Sequence, residues 1–416
     1  GDEGEVRKIV LEEIKPYADE VKVDALGNVL AVKRGSGKKR LRVMVDAHMD
    51  EIGFFIVADE GEGIFRFDTV GGIDVRHLLG KQVLVGKDHT PGVIGGKPVH
   101  LMEGDEYTRK VPLDAMRIDL GLGGKAKVGD RAGFATKFRR VGQSIMSKAI
   151  DDRIGVATLI ELLKHAPSNI DLCAAFAVQE EIGLRGAKVA AQYFQPDLGI
   201  AVDSTPANDL PMHDGSENMT YNTKLGMGPA IYIADGSTFH DQRLVRFLSG
   251  VGDAEKIPYQ FRQPGGGGTD SGAIQRALAG IPTVSVSVPH RYTHSPVSIS
   301  RVDDWKNTLS LFHAALKKIT PALRRRPRFC GSRAGPMPPR RSARARPSSM
   351  TRRRRTQPRT RCWRRPKCSA KAIAMASSPS AEAPRSTSAR PSHCSRRIRR
   401  RCSSTPRSRA ARRASR

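Results

Sequence analysis

The stretch Asp171-Leu-Cys-Ala-Ala-Phe-Ala-Val-Gln-Glu-Glu-Ile-Gly183 decides how the rest of the chain is interpreted. Its apolar part has the length of a buried strand and stops just before two adjacent carboxylates, Glu180 and Glu181. Adjacent carboxylates repel each other, and a fold tolerates them when one binds a cation and the other is held back as a base. An isolated Glu-Glu pair is more simply a solvated loop after a strand. Other segments of the chain must decide between these interpretations.

The net charge of +29 suggests nucleic-acid binding until its position in the chain is considered. Residues 1–320 contain 40 Lys+Arg and 41 Asp+Glu, whereas residues 321–416 contain 31 Lys+Arg and the single acid Glu382. The 416 residues suffice for two or three domains, and the body of the protein is nearly neutral. The basic character belongs to the last segment alone.

Residues 324–416 are predicted to form a disordered tail, because Arg, Ser and Pro dominate and few large apolar side chains could build a core. One interpretation is a nucleic-acid-binding arm. The other is a frame-shift artefact, because GC-rich coding DNA read in a shifted frame yields these residue types. The abrupt change of composition and the five cysteines of the tail favour the frame shift. We assign the tail no catalytic role.

The body contains one cysteine, Cys173, within a predicted buried strand, which indicates a reducing compartment. No apolar run approaches the roughly 20 residues of a membrane span, and no signal peptide precedes the first helix. We expect a cytoplasmic protein without a membrane partner.

The order of strand and helix patterns predicts an α/β fold with an insertion. Residues 1–60 and 145–323 alternate apolar strands with amphipathic helices, which predicts a catalytic domain with a mixed, largely parallel sheet sandwiched by helices. Residues 61–144 show short β-like runs broken by Gly and Pro, without helical periodicity. They are predicted to form a small inserted β-rich domain.

Histidines and carboxylates recur where the predicted strands stop. In open α/β sheets the carboxyl ends of parallel strands meet at one edge, where ligands bind. These side chains suit zinc, cobalt or manganese, so a dinuclear metal site with a carboxylate base is expected. The residues alone do not choose between the last two histidines or between the two glutamates. The candidates are His48, Asp50, Asp151, Glu180, Glu181, Asp203, His290 and His294.

A four-glycine loop, Pro264-Gly-Gly-Gly-Gly-Thr-Asp270, lacks the Lys-Ser/Thr of a phosphate-binding P-loop and is predicted to line the active crevice. Thr269 and Asp270 are candidates for contacts with substrate. Arg291 is a candidate for binding substrate carboxylates.

Six motifs resemble, in their order, the glutamyl aminopeptidase and tetrahedral aminopeptidase family of dinuclear metallopeptidases. The match extends over nearly all of residues 1–320. It implies a zinc-peptidase-like fold and a metal-dependent aminopeptidase that removes the N-terminal residue from peptides with a two-metal-activated water. The motifs are VDAHMDEIGF, KAIDDRIG, QEEIGLRGA, IAVDST, GGGGTDSGAI and HRYTHSP.

The resemblance also implies roles for the candidates. Asp151 would bridge two divalent ions, most simply zinc or cobalt, and its peptide bond to Asp152 would be cis. Glu180 matches the general base, and Asp50 matches the carboxylate that orients a histidine ligand. The implied ligands are His48, Asp151 and Asp203 for one ion, and Asp151, Glu181 and His294 for the other.

The resemblance further implies that the insertion mediates dimerisation and that dimers assemble into a hollow tetrahedral dodecamer admitting only peptides. Three alternatives stay open. A metal-dependent N-deacylase or carboxypeptidase would keep the site and change the substrate, a glycanase would act on sugars, and a nucleic-acid-binding protein would act through the tail.

Overall fold

The computed structural model describes residues 2–37, 40–263 and 265–324. Residues 325–416, on which the predictions for the tail fall, lie outside the described residues. Within the described ranges, no helix combines the length and apolar character needed to cross a bilayer. The helices are α1 (Gly4–Ile14), α2 (Ile150–Lys164), α3 (Arg185–Phe194), α4 (Gln242–Glu255), α5 (Ser271–Gln275) and α6 (Val302–Lys318).

The strands fall into two separate sheets. They are β1 (Glu20–Val23), β2 (Val29–Lys33), β3 (Leu41–His48), β4 (Gly53–Asp59), β5 (Ile64–Val70), β6 (Gln82–Val85), β7 (Thr90–Gly95), β8 (Arg117–Asp119), β9 (Arg131–Phe134), β10 (Arg139–Val141), β11 (Ser144–Ser147), β12 (Ile170–Ala177), β13 (Leu198–Pro206), β14 (Ala230–Ile231), β15 (Gln260–Phe261), β16 (Thr283–Arg291) and β17 (Ser298–Arg301).

The larger sheet is mixed and has the order β1-β2-β12-β3-β13-β16-β17-β11-β10, with β14 paired to β16 and β15 paired to β14. Its centre, β12-β3-β13-β16, is parallel. The flanking strands pair antiparallel with this centre. The parallel centre matters for function because the carboxyl ends of its strands lie at one edge.

The central strands are apolar on both faces because both faces are covered. In β12, Leu172, Ala174 and Phe176 pack into one core with residues of α1, α2, α4 and α6. The alternate residues Cys173 and Ala175 pack into a second core with α3 and α5. This alternation follows from the two-residue period of a strand, and it explains why the stretch reads as a continuous apolar run.

The smaller sheet is a closed antiparallel barrel of β4-β5-β8-β7-β6-β9. Its core contains Phe54, whose ring meets Phe67 and Phe134 edge-on at centroid distances of 5.3 and 5.2 Å.

The barrel runs from Gly53 to Phe134, which differs from the predicted limits of 61–144. Residues 53–60 form its strand β4, and β10 and β11 belong to the larger sheet. No change of composition marks the short link between β3 and β4, so the residue pattern held no signal for the true boundary.

Candidate active site

The parallel centre of the larger sheet brings the predicted site residues to one edge. His48 ends β3 and pairs in register with Ala177, the last residue of β12. Asp203 lies on β13, and β16 leads into the loop that carries His294. A cavity of about 550 Å³ opens at this edge and is lined by His48, Asp151, Glu180, Glu181, Asp203 and His294.

Asp151 lies at the centre of this group. Its Oδ1 is 3.2 Å from Nε2 of His48, and its Oδ2 is 3.5 Å from Nε2 of His294. The two oxygens of one carboxylate therefore face the two histidines. The peptide bond from Asp151 to Asp152 is cis, as the resemblance implied.

Each histidine has a second carboxylate near the same nitrogen. Nε2 of His48 is 3.9 Å from Oδ1 of Asp203, and Nε2 of His294 is 3.2 Å from Oε2 of Glu181. Two sets of potential ligands, each with its atoms within 4.8 Å of one another, follow from this packing. They are His48, Asp152 and Asp203, and Asp151, Glu181 and His294.

Asp152 was not among the predicted ligands. It is fully buried, its Oδ1 accepts a hydrogen bond from the amide of Gly155 at 3.0 Å, and its Oδ2 has no partner among the described residues. Of these two aspartates, Asp151 is the one within ion-pair distance of both His48 and His294.

Asp50, just after β3, is hydrogen-bonded to the turn that carries Glu180 and Glu181. Its two oxygens accept hydrogen bonds from the amides of Glu180 and Glu181 at 3.0 and 3.1 Å. Its Oδ1 also lies 3.5 Å from Nδ1 of His48. Burial raises the pKa of Asp50, but the contact with His48 and the two amides outweigh it and lower the pKa below the usual value.

The carboxylates that line the cavity outnumber its histidines. Burial raises the pKa of Glu180 and of Asp203 well above their usual values, and neighbouring carboxylates raise both further. For His294, burial lowers the pKa, but contacts with Asp151 and Glu181 raise it to about 11. Such an excess of crowded negative charge is the balance expected of a cation site.

The donor set fits divalent metal ions. It consists of imidazole nitrogens and carboxylate oxygens, as zinc and cobalt prefer, with the free thiol of Cys173 elsewhere in the sheet. Oε1 of Glu181 is buried and has no hydrogen-bond partner among the described residues. An oxygen of this kind is available to an ion without breaking an existing bond.

The two histidines between which the residue pattern did not choose lie in different environments. His290 is fully buried, its Nε2 pairs with the hydroxyl of Thr293, and burial lowers its pKa to about 4. His294 instead lines the cavity. Its Nδ1 donates to the carbonyl of Gly72 at 2.7 Å, which leaves Nε2 facing the carboxylates.

The four-glycine loop lines the cavity through Gly266, Gly267 and Gly268. Gly267 has φ +80°, and its carbonyl accepts from the amide of Gly236 at 2.7 Å. A Cβ on Gly236 would lie 2.6 Å from that same oxygen, so the close approach requires glycine.

Three predicted substrate contacts are not at the cavity. Thr269 and Asp270 are 1% and 3% exposed, and the Thr269 hydroxyl is bonded to Ser271 and Ser285. Arg291 pairs with Asp209 at 2.6 and 3.1 Å. These side chains were misassigned because a loop next to a crevice can turn its polar groups into the fold.

The residue pattern missed Arg262 and Tyr232, which line the cavity beyond the carboxylates. Arg262 is 6% exposed and its guanidinium carbon lies 4.7 Å from the centre of the Tyr232 ring. The sequence signal that could have indicated Arg262 was a basic residue shortly before the glycine loop. Strand β15, which positions Arg262, has only two residues and so shows no recognisable strand pattern in the sequence.

Comparisons with known proteins agree with this geometry. The profile of the M42 glutamyl aminopeptidase family matches residues 27–311. A relative from Acetivibrio thermocellus, named as an aminopeptidase, is 37% identical over 323 residues, which cover 76% of this chain and 94% of the relative.

Two solved structures are similar over the same part of the chain. The aminopeptidase APDkam598 of the archaeon Desulfurococcus kamchatkensis has a TM-score of 0.73 and 35% identity over 78% of this chain and 92% of its own. The TET1 peptidase of Pyrococcus horikoshii, which can assemble into a tetrahedron or a large octahedral shell, has a TM-score of 0.65 and 34% identity over 75% of this chain and 93% of its own. The chain therefore belongs to the M42 glutamyl aminopeptidase family and is a peptide hydrolase.

Proposed function

We propose that the protein is a two-metal aminopeptidase that removes N-terminal residues from peptides in the cytoplasm. The observation that carries this proposal is the central carboxylate of Asp151, whose oxygens lie 3.2 Å from one histidine and 3.5 Å from the other. A carboxylate shared in this way is what a dinuclear hydrolase requires. The cytoplasmic location is supported by the buried thiol of Cys173, which forms no disulfide with any of the residues that the structure describes.

The proposed ligands divide between the two sides of Asp151. Zinc or cobalt ions, when bound, would acidify the attacking water and polarise the scissile carbonyl. Asp50 lies behind the imidazole of His48, with its Oδ1 3.5 Å from Nδ1, and would keep Nε2 directed at the site. The ligands are His48, Asp151 and Asp203 on one side and Asp151, Glu181 and His294 on the other.

Glu180 is the proposed general base. It lines the cavity beside the shared carboxylate, and burial raises the pKa of its carboxyl well above the usual value. A carboxylate in this position can take a proton from water and return it. Glu180 accepts a proton from the attacking water and then donates it to the departing amine. Asp50 supports this role because it fixes the amide of Glu180.

Arg262 supports a preference for acidic N-terminal residues. Apart from the proposed ligands and base, it is the charged side chain lining the cavity among the described residues. Its terminal nitrogens donate to the carbonyls of Gly265 and Gly266, and its Nε has no hydrogen-bond partner among the described residues. A buried guanidinium of this kind favours a carboxylate ligand.

Assembly is the remaining part of the proposal. The barrel would act as a dimerisation domain inserted in a zinc-peptidase-like helix sandwich, and the dimers would build a dodecamer. The capacity of the Pyrococcus horikoshii TET1 peptidase to form closed shells supports this. So do exposed apolar side chains between β7 and β8, with Val99, Leu101 and Tyr107 at 57%, 62% and 61% exposure.

The direct test is hydrolysis of aminoacyl p-nitroanilides by the full chain, stripped with chelator and then restored with zinc or cobalt. We expect turnover only with restored metal and only on substrates with a free amino group. Cleavage of N-acetylated substrates at the same rate would contradict an aminopeptidase.

The Glu180→Gln variant separates catalysis from metal binding. We expect kcat to fall by roughly 10²- to 10⁴-fold, as for loss of a general base, while the bound metal per chain stays at the wild-type value. Turnover at the wild-type rate would remove Glu180 from the proposed role.

A further inference from the structure

A buried ion cluster lies behind the active site and does not line its cavity. It consists of Glu51, Lys148 and Arg153 and is called the ion triad below. Lys148 Nζ donates to both oxygens of Glu51, at 2.5 and 2.7 Å, and Arg153 donates to Oε1 of Glu51 at 3.2 Å. Lys148 and Arg153 are each 7% exposed. These groups face a separate cavity of about 420 Å³ between the barrel and α1.

The ion triad joins the two chain segments that meet in the active site. Glu51 follows the segment that carries His48 and Asp50, whereas Lys148 and Arg153 flank Asp151 on either side. Nε of Arg153 adds a third link by donating to the carbonyl of Met49 at 3.0 Å. The relative position of His48 and Asp151 is thus fixed from behind by charged hydrogen bonds.

Stability alone is a weak explanation for this cluster. Burying charged groups such as Lys148 and Arg153 carries a large desolvation cost, and apolar residues of similar volume often serve stability equally well. The backbone between the linked groups is also constrained, because Ala149 has φ +51°, a conformation that persists only where the surroundings enforce it.

We propose that the ion triad is a positioning device that sets the separation between His48 and Asp151 and thereby the affinity of the site for its first metal ion. This inference rests on the proposed two-metal function. Its residues contact neither substrate nor ion, and they act through the backbone of the two ligand segments.

The test is a calorimetric cobalt titration of the full chain after removal of metal by chelator, combined with thermal unfolding of the metal-free protein. The variants are Glu51→Gln, the charge-balanced pair Glu51→Gln with Lys148→Met, and the conservative Lys148→Arg. Loss of such supporting contacts typically weakens metal binding about 10- to 100-fold. We expect this loss in the first two variants and recovery to within about threefold in Lys148→Arg.

A matched control is available at the far end of the same helix. Lys164 Nζ also bridges two carboxylates, those of Glu13 and Glu161, at 2.9 and 3.2 Å. It lies 13 residues beyond Asp151 in α2, or about 20 Å along the helix. Lys164→Met should lower the unfolding temperature of the metal-free protein and leave cobalt affinity unchanged.

The outcomes separate this inference from the proposed function. If the charge-balanced pair regains both stability and wild-type cobalt affinity, or if Lys164→Met loses affinity in proportion to stability, the ion triad has only a structural role. Wild-type affinity in Glu51→Gln would also overturn the inference. Absence of tight cobalt binding in the wild-type chain would instead contradict the two-metal function itself.

Discussion

The two halves of the active site are built differently. The inner half, His48 and Asp203, lies on adjacent central strands, and the His48 side chain is 3% exposed. The outer half, Glu181 and His294, lies on turns, and the His294 side chain is 36% exposed. The sheet therefore positions the candidate ligands of one proposed ion, whereas loops position those of the other.

The outer half also depends on the barrel. The carbonyl that holds His294 belongs to Gly72, two residues after barrel strand β5. His294 itself has φ +54°, an uncommon conformation for a residue other than glycine. We therefore expect the inner ion to bind more tightly and the outer ion to exchange more readily.

The largest effect is expected from replacing Asp151, the residue that the two halves share. Asp151→Asn replaces one of the two oxygens that face the histidines with an amide, which is a poor ligand for zinc or cobalt. We expect hydrolysis of aminoacyl p-nitroanilides to fall to the level of the metal-stripped wild type, even with added cobalt. Recovery of activity at high cobalt would show that the halves do not share this carboxylate.

The next largest effect is expected from replacing one histidine in each half, which distinguishes the two halves directly. His48→Ala should abolish binding of the tightly held cobalt ion. His294→Ala should lose only the more weakly held ion and should regain activity when excess cobalt is supplied. Elemental analysis after dialysis against graded cobalt concentrations measures both. Equal losses in the two variants would remove the distinction between inner and outer positions.

A third change should affect substrate selection and leave both halves intact. Arg262→Gln removes a charge that is proposed to bind an acidic side chain, a contact worth about 1.5–3 kcal/mol. We expect kcat/KM for glutamyl p-nitroanilide to fall roughly 10- to 100-fold relative to the leucyl substrate, with unchanged metal content. An equal fall for both substrates would indicate that Arg262 only holds the glycine loop.

The smallest expected effect tests the link between barrel and outer half. Gly71 has φ +80°, and a Cβ there would lie 2.9 Å from Ile52 and 3.1 Å from Oε2 of Glu181. Gly71→Ala should weaken binding of the second cobalt ion several-fold, because the added Cβ would displace the Glu181 carboxylate. The control Gly61→Ala has a similar φ of +87° but open space at its Cβ, so it should leave cobalt binding unchanged.

The convergence of His48, Glu181 and His294 could be predicted from the sequence because each lies at or just after the end of an apolar strand, and parallel strands bring such points together. Their role as metal ligands stays a prediction. Helices with regular apolar spacing, such as α1 and α6, were also predictable. The short strands β10, β11 and β17 were not, because their residues are polar or mixed and because β11 pairs with β17, which is distant in sequence.

Long-range packing also explains the misassigned side chains. Thr269 and Asp270 are buried beneath the loop that was expected to present them. Burial of a polar residue next to a crevice depends on tertiary contacts, which local pattern does not contain.

The measurement that tests the central claim most directly is a calorimetric cobalt titration of the metal-stripped full chain, followed step by step by aminopeptidase activity. We expect two cobalt ions to bind per chain, one tightly and one more weakly, with full activity reached only when the second is bound. A single equivalent that supports full activity, or two equivalents of equal affinity, would contradict it.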